Sequence, residues 1–444
     1  FGHSMRIEEF RRPEFEVNAR NESTGPYFAG GNAVVAVKAN YYAVGPLPGA
    51  DVTWQVTSSP GTYAPPNWPE FTFGTWTPWW YYGDYSFGGK MGGDFGQGGT
   101  TETFSGKTDG AGEHFLQLDF DQGGDPHPLS VMAQATVMDV NRQAWTGSTS
   151  LLVHPAELYV GLRSEPYFVE HGTPLKVDVI VTDIDGSPVG DRPVEVKAAR
   201  LEWKVRNGQW GEEEVDPQVC NIGSQSEPVT CTFQTPVGGS YRITATVSDG
   251  QGRKNQSQFN RWVSGGKIPP ARNVEQEKVT LIPDKETYQP GDTAQILVQS
   301  PFSPAEGLLS VNRSGLLYTR RFRIEDGSIT LSIPIEESYI PNISIQVDLN
   351  GAAQRLDDQG EPLANVEPRP AFASAQMILN VPPLQRTLAL QVTPEQSELE
   401  PGAETSLRLV LKDAAGSPVE GAELAVVVVD EAVLALSGYD LTDP

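Results

Sequence analysis

Chemistry needs convergent side chains, and in this chain of 444 residues the candidates are two cysteines, the four histidines beyond the opening pentapeptide, one acidic turn and one dense aromatic run. The cysteines, Cys220 and Cys231, flank Asn-Ile-Gly-Ser-Gln-Ser-Glu-Pro-Val-Thr, a polar stretch of turn formers. It reads as a hairpin whose flanks bring the two sulfurs together, so a disulfide and an oxidising compartment are expected; the alternative is a pair of buried thiols in the cytosol. His114, His127, His154 and His171 have no zinc-like spacing to one another or to the cysteines. Asp183-Ile-Asp185-Gly186 begins like a calcium loop but lacks the later ligands and the closing glutamate, so a hairpin turn is the expectation. The sequence contains no nucleophile elbow, phosphate-binding loop or dinucleotide fingerprint. No catalytic, cofactor-binding or metal-binding residue is assigned, and the chain is read as a non-enzyme.

The aromatic run is the most unusual stretch. Trp68, Phe71, Phe73, Trp76, Trp79, Trp80, Tyr81, Tyr82, Tyr85 and Phe87 fall between Pro60 and Gly106 and are followed by glycine clusters. Exposed Trp and Tyr dominate interface energies. Trp76, Trp79, Trp80, Tyr81 and Tyr82 are therefore a candidate binding surface, either for sugar rings or for a partner's anchor. The competing reading is an insertion that folds its aromatics onto its own sandwich or a neighbouring domain.

Positioning any of these groups requires a scaffold. A length of 444 residues exceeds one hydrophobic core and suggests roughly three or four units. A hydrophobic content of 38 % is enough to offset chain entropy, and 45 Gly with 36 Pro point to many turns, as all-β folds require. The net charge of −25 disfavours a nucleic-acid partner. No run of eighteen apolar residues is present to span a membrane as a helix. The opening Phe1-Gly-His-Ser-Met reads as a tag remnant, which leaves the natural N-terminus outside the chain. Asn21, Asn255, Asn312 and Asn342 stand in Asn-x-Ser tripeptides, to which no weight is given.

A degenerate repeat supplies the architecture. An aromatic or Leu, a short spacer and Gly precede an alternating run at Phe28-Ala-Gly-Gly31, Phe168-Val-Glu-His-Gly172, Tyr288-Gln-Pro-Gly291 and Leu399-Glu-Pro-Gly402. A second phrase leads into another alternating run at Gly45-Pro-Leu-Pro-Gly49, Gly186-Ser-Pro-Val-Gly190 and Gly416-Ser-Pro-Val-Glu-Gly421; the third unit substitutes Ser303-Pro-Ala-Glu-Gly307. Alternation at period two marks strands with one buried face, and Gly-Pro turns join them into hairpins. The copies recur at intervals near the roughly 100 residues of one sandwich. The expected fold is all-β: tandem antiparallel β-sandwiches of immunoglobulin or fibronectin type. The expected divisions are a tag remnant at 1–5, a domain at 6–155 with an aromatic and Gly-rich insertion at 60–106, domains at 156–265 and 266–383, and the first part of a domain at 384–444.

Two stretches make the chain familiar. Glu8-Glu-Phe-Arg-Arg-Pro-Glu-Phe-Glu-Val17 followed by ANYYAVGPLPGADVTWQV resembles the third macroglobulin-like domain of bacterial α2-macroglobulins, and AVVVVDEAVLALSGYDLTDP resembles the sixth. In that sixth domain, Val429-Asp-Glu-Ala-Val-Leu434 and Gly438-Tyr439 match the segment just before the bait region. Tyr339-Ile-Pro-Asn-Ile-Ser344 is similar to the fifth domain. The resemblance implies macroglobulin-like sandwiches, the last truncated before the bait. It also implies a non-catalytic scaffold of a broad-spectrum endopeptidase inhibitor that traps proteases after bait cleavage.

The family's thioester needs Cys-x-Glu-Gln, and the nearest match, Cys231-Thr-Phe-Gln234, has Phe233 where Glu is required. No thioester is therefore expected in this stretch. Implied partners are host or competitor proteases, met through bait and thioester regions outside the chain, and other domains of the same protein. The implied location is the bacterial periplasm or cell envelope, with a membrane anchor through the missing N-terminus. Rival readings are a surface adhesin or stalk of spacer sandwiches, and a carbohydrate-binding module using the aromatic insertion.

Overall fold

A computed structural model of the chain describes residues 15–42, 45–80, 99–121, 125–206, 209–266, 277–355, 357, 363–396 and 403–426. Its regular structure is almost entirely strands, paired mainly antiparallel and layered as sandwiches in series. The first sandwich sets Phe15–Asn21, Asn32–Tyr41, Gly45–Pro46 and Glu113–Asp119 against a sheet of Tyr27–Phe28, Ala144–His154, Leu129–Met138, Asp51–Pro60 and Thr100–Lys107. In the second, Val229–Phe233, Leu175–Asp183 and Leu158–Arg163 face Phe168–Val169, Lys254–Val263, Gly239–Ser248, Pro193–Arg206 and Gln209–Gly223. The third sets Glu277–Lys278, Arg369–Asn380, Asn342–Ala353, Ala305–Asn312 and Leu316–Ile324 against Thr280–Pro283, Thr293–Gln299 and Ser328–Pro334. A hairpin of Ala389–Pro394 and Leu407–Lys412 follows. Residues 422–426 carry no strand pairing, and the rest of the apolar run ending at Leu434 lies outside the described residues.

Alternation in sequence becomes alternation in burial. Gly239–Ser248 has every second residue buried, which puts Tyr241, Ile243, Ala245 and Val247 into the core of the second sandwich. Trp54 fills the first core, and Ile296, Leu309, Ile345 and Val347 are fully enclosed in the third. Each such side chain stabilises by about 1.5–3 kcal/mol, whereas an exposed ion pair is worth about 0–1 kcal/mol. The apolar layers, rather than the many surface pairs, hold each unit together.

The repeat has a mechanical origin. Tyr27–Phe28 pairs parallel with Val153–His154, and Phe168–Val169 with Trp262–Val263. In the third unit Tyr288 N–H donates to the Asn380 carbonyl at 2.9 Å. The aromatic thus tethers the chain to the last strand of its own unit. Gly30, Gly172 and Gly291, with φ of 78°, 83° and 96°, then turn the chain into the facing sheet. That left-handed conformation favours glycine. The fourth copy's Gly402 lies outside the described residues.

The calcium-like tetrapeptide is a hairpin turn. Asp183 Oδ1 accepts from the Asp185 and Ser187 N–H groups at 3.0 and 2.8 Å, and the same geometry recurs at Asp109, Asp139, Asp249 and Asp413. The carboxylate does the work of a turn, satisfying backbone donors that the hairpin leaves over.

The insertion differs from its expected bounds. Thr100–Lys107 is a strand of the first sandwich paired along Asp51–Pro60, with Phe104 packed on its core. Its Thr, Ser and Gly residues hid the alternation. Thr72–Phe73 instead extends a sheet of the second sandwich, pairing with Leu162 and Gly161.

Candidate functional site

The aromatic run meets the rest of the molecule where the second and third sandwiches join. The last strand of the second sandwich ends in Phe259-Asn-Arg-Trp-Val263, and Phe168 lies beside it because the repeat phrase pairs parallel there. From the third sandwich, Ile282 and Leu297 turn the same way. Phe168, Trp262, Ile282 and Leu297 form one buried cluster, and Trp76, Trp80 and Tyr167 pack on it. Ring centroids lie 5.7 Å apart for Trp76 and Trp80, 5.4 Å for Trp76 and Tyr167, and 5.6 Å for Trp80 and Trp262, in tilted or edge-on arrangements. Such pairs add about 0.5–1.5 kcal/mol beyond their area.

Arg261 sits inside this cluster with 4 % exposure. Its guanidinium lies 3.8 Å from the Phe259 ring centre, 5.0 Å from Tyr167 and 5.1 Å from Trp76. Nε and Nη2 both donate to the Ser164 carbonyl, at 3.0 and 2.8 Å, and Nη1 donates to the Asn260 carbonyl at 2.9 Å. Burial pulls its pKa down to about 9, against the opposing pull of Tyr167 and Glu165. The ion remains charged at neutral pH because ring faces and carbonyls replace water around it. Burial likewise raises the Tyr167 hydroxyl, with Glu286 adding to the shift and Arg261 opposing it.

These contacts decide what the aromatics can do. Trp76 and Trp80 are engaged by residues of both neighbouring sandwiches, so they act as intramolecular anchors. Trp79 is half-buried against Trp80, with ring centres 5.4 Å apart. Tyr81 and Tyr82 lie outside the described residues. Sequence reasoning missed Arg261, Trp262 and Tyr167. The available signal was a lone cation between two aromatics, Phe259 and Trp262, on an otherwise alternating strand.

The junction between the first two sandwiches is built from polar groups. His154 Nδ1 and the Tyr159 hydroxyl are 2.8 Å apart, and the Tyr63 ring meets His154 edge-on at 4.8 Å. Arg253 lies over Phe28 at 4.6 Å while pairing with Asp249 and Glu157 at 2.7 and 2.8 Å. Burial holds the His154 pKa below its usual value.

The remaining candidates are dispersed. Cys220 and Cys231 are joined by a disulfide, with Cα atoms 6.2 Å apart, between Gln209–Gly223 and Val229–Phe233. Phe233 is buried in the core. His114 accepts from the Trp54 indole at 3.1 Å, His127 contacts Asp125, and His171 Nε2 lies 2.8 Å from the Pro236 carbonyl. Among the described residues, no group of three or more His, Cys, Asp or Glu side chains could hold a metal ion. No described helix is long and apolar enough to cross a membrane.

Residues 279–436 match the family model of the alpha-2-macroglobulin bait region domain. An alpha-2-macroglobulin homolog of Nostoc sp. is 25 % identical over 450 residues, covering 98 % of this chain and 22 % of that protein. A circularly permutated Ras protein 2 of Dictyostelium discoideum is 23 % identical over 510 residues, covering 100 % of the chain and 12 % of the relative. Among solved structures, the native conformation of the Escherichia coli alpha-2-macroglobulin covers 98 % of this chain and 27 % of its own, at 18 % identity and a TM-score of 0.40. The chain thus spans about a fifth or less of the curated relatives it matches. The bait region domain is thus matched at residues 279–436, and the similarity to the Nostoc alpha-2-macroglobulin homolog extends along nearly the whole chain.

Proposed function

We propose that this chain is a non-catalytic part of the frame of a protease trap, acting in an oxidising compartment of the bacterial envelope. The observation that carries the reading is the bait region domain match at residues 279–436, which covers the third sandwich and the hairpin after it. The parent protein would offer proteases a cleavable segment on the C-terminal side of these sandwiches, and cleavage would be converted into a change of shape. Sandwiches suit that task because rigid units can swing about whichever junctions are least packed. The disulfide between Cys220 and Cys231 supports the compartment.

The test is limited proteolysis of the full-length parent with several unrelated proteases, mapping the first cuts by mass spectrometry and reading compaction on native gels. The trap reading expects every protease to cut first within one segment beyond residue 438, followed by compaction. First cuts scattered among the linkers near residues 155, 266 and 382, with no change of shape, would make the chain a passive stalk.

A further inference from the structure

The second sandwich would expose the edge strand Leu158–Arg163, and residues of the first sandwich's own loop cover it. We infer that residues 61–80 form an intramolecular strap, which occupies a groove fitted to it along the second sandwich and locks the first three sandwiches into one body. The inference concerns the geometry of this chain and stands whether or not the parent traps proteases.

The strap is held along its whole length. Near its start Tyr63 donates its hydroxyl to the Ile184 carbonyl, and Trp68 Nε1 donates to the Gly186 carbonyl at 3.0 Å. Thr72–Phe73 then adds a strand to the open edge, completing backbone pairing that an edge otherwise leaves to water or to a foreign chain. Beyond it, Gly74 N–H donates to Ser257 Oγ at 2.7 Å, and Trp76 N–H to the Gln258 carbonyl at 2.9 Å. Trp76 and Trp80 end the path in the cluster shared with the third sandwich.

The receiving surface is shaped for this occupant. A Cβ on Gly161 would stand 2.7 Å from the Phe73 ring, and one on Gly186 would stand 2.1 Å from the Pro66 carbonyl oxygen. Gly161 therefore leaves space that the strap fills, and Gly186, whose φ of 80° already calls for glycine in its turn, leaves more. An extended peptide that lends a strand by main-chain bonds and seats alternate side chains in pockets is a known mode of recognition. Here the ligand and the groove belong to the same chain. Bending either junction requires strand pairing or aromatic packing to break, so shape changes concentrate after the third sandwich, at Val381-Pro-Pro383.

The experiment places spin labels at Thr146→Cys on the first sandwich and Asn350→Cys on the third, both exposed, and reads the inter-label distance distribution. The intact chain gives a narrow distribution. Replacing residues 62–80 with an equal length of Gly-Ser repeats broadens it roughly twofold or more, and a synthetic peptide of residues 61–80 added in trans binds the groove of that strapless chain. Gly161→Val leaves every strap residue in place, fills the space of the Phe73 ring and presses on Ile180 of its own sheet, where a Cβ would stand 3.0 Å from Cγ2; it gives the same broadening while circular dichroism shows the sandwiches still folded. An unchanged distribution in Gly161→Val or in the strapless chain, or failure of the peptide to bind the strapless chain, overturns the inference.

Discussion

The two ends of the third sandwich are joined to their neighbours by opposite means. Toward the second sandwich, the junction buries Trp262, Ile282 and Leu297, wraps Arg261 in three rings, and receives two tryptophans from the loop of the first sandwich. Toward the following hairpin, the described contacts are a short helical turn at Leu384–Arg386, with Leu384 about half exposed, and an ion pair of Arg386 with Glu337 whose side chains are 62 % and 70 % exposed. Burial and ring packing resist rotation because displacement exposes apolar surface, whereas an exposed ion pair exchanges with water at little cost. Stiffness in a chain of sandwiches is therefore a local property of each junction.

Four measurements would break or sharpen this contrast, and their expected effects run from large to small. Trp262→Ala should cost about 3–5 kcal/mol, the range for emptying a large aromatic site. It should also separate the unfolding of the second and third sandwiches into two transitions in calorimetry; one unshifted transition would dismantle the stiff-junction account.

Asp249→Ala should cost about 1–3 kcal/mol, because the Gln251, Arg253 and Glu157 N–H groups lose their acceptor. Burial opposes ionisation of Asp249, but the Arg253 pair and the backbone donors prevail and lower its pKa. Its contribution is thus fully present above the unfolded carboxyl pKa of about 3.9 and lost as pH falls through the lower folded value. The wild-type and variant stability curves should converge in that acid window.

His154 sharpens the comparison at the junction of the first two sandwiches. Its folded pKa is depressed by burial, so the folded state resists the proton that the unfolded chain accepts. Stability should decline as pH falls through 6.5, and His154→Phe should remove that limb from a plot of unfolding free energy against pH. A titration of His154 by NMR at or above 6.5 would contradict it.

Arg386→Ala should change stability by less than about 1 kcal/mol, and raised salt should erase even that difference. A larger loss in denaturant titration would show that the hairpin side is built more firmly than its exposure implies.

The strands were legible because period-two alternation is written in adjacent residues. The repeat phrase was legible for the same reason: its aromatic, its turn glycine and its strand are consecutive in the chain. Thr100–Lys107 was obscured because its outward Thr and Ser residues and its Gly106 give no hydrophobic beat. The candidate site was legible only in part. Composition drew attention to Trp76 and Trp80, but nothing local names Tyr167 or Trp262 as their partners.

By itself, then, the sequence determined a series of β-sandwiches, their turn chemistry and their family likeness. These follow from near-neighbour patterns, since each strand and hairpin is specified by the residues within it. Only the tertiary structure decided that a loop of the first sandwich lends a strand to the second, that its tryptophans seal the second against the third, and that Arg261 is buried between them. Those contacts join residues far apart in the chain, 88 and 90 positions for the pairs of the lent strand, and their strength depends on which surfaces are removed from water together, a quantity that no local pattern encodes.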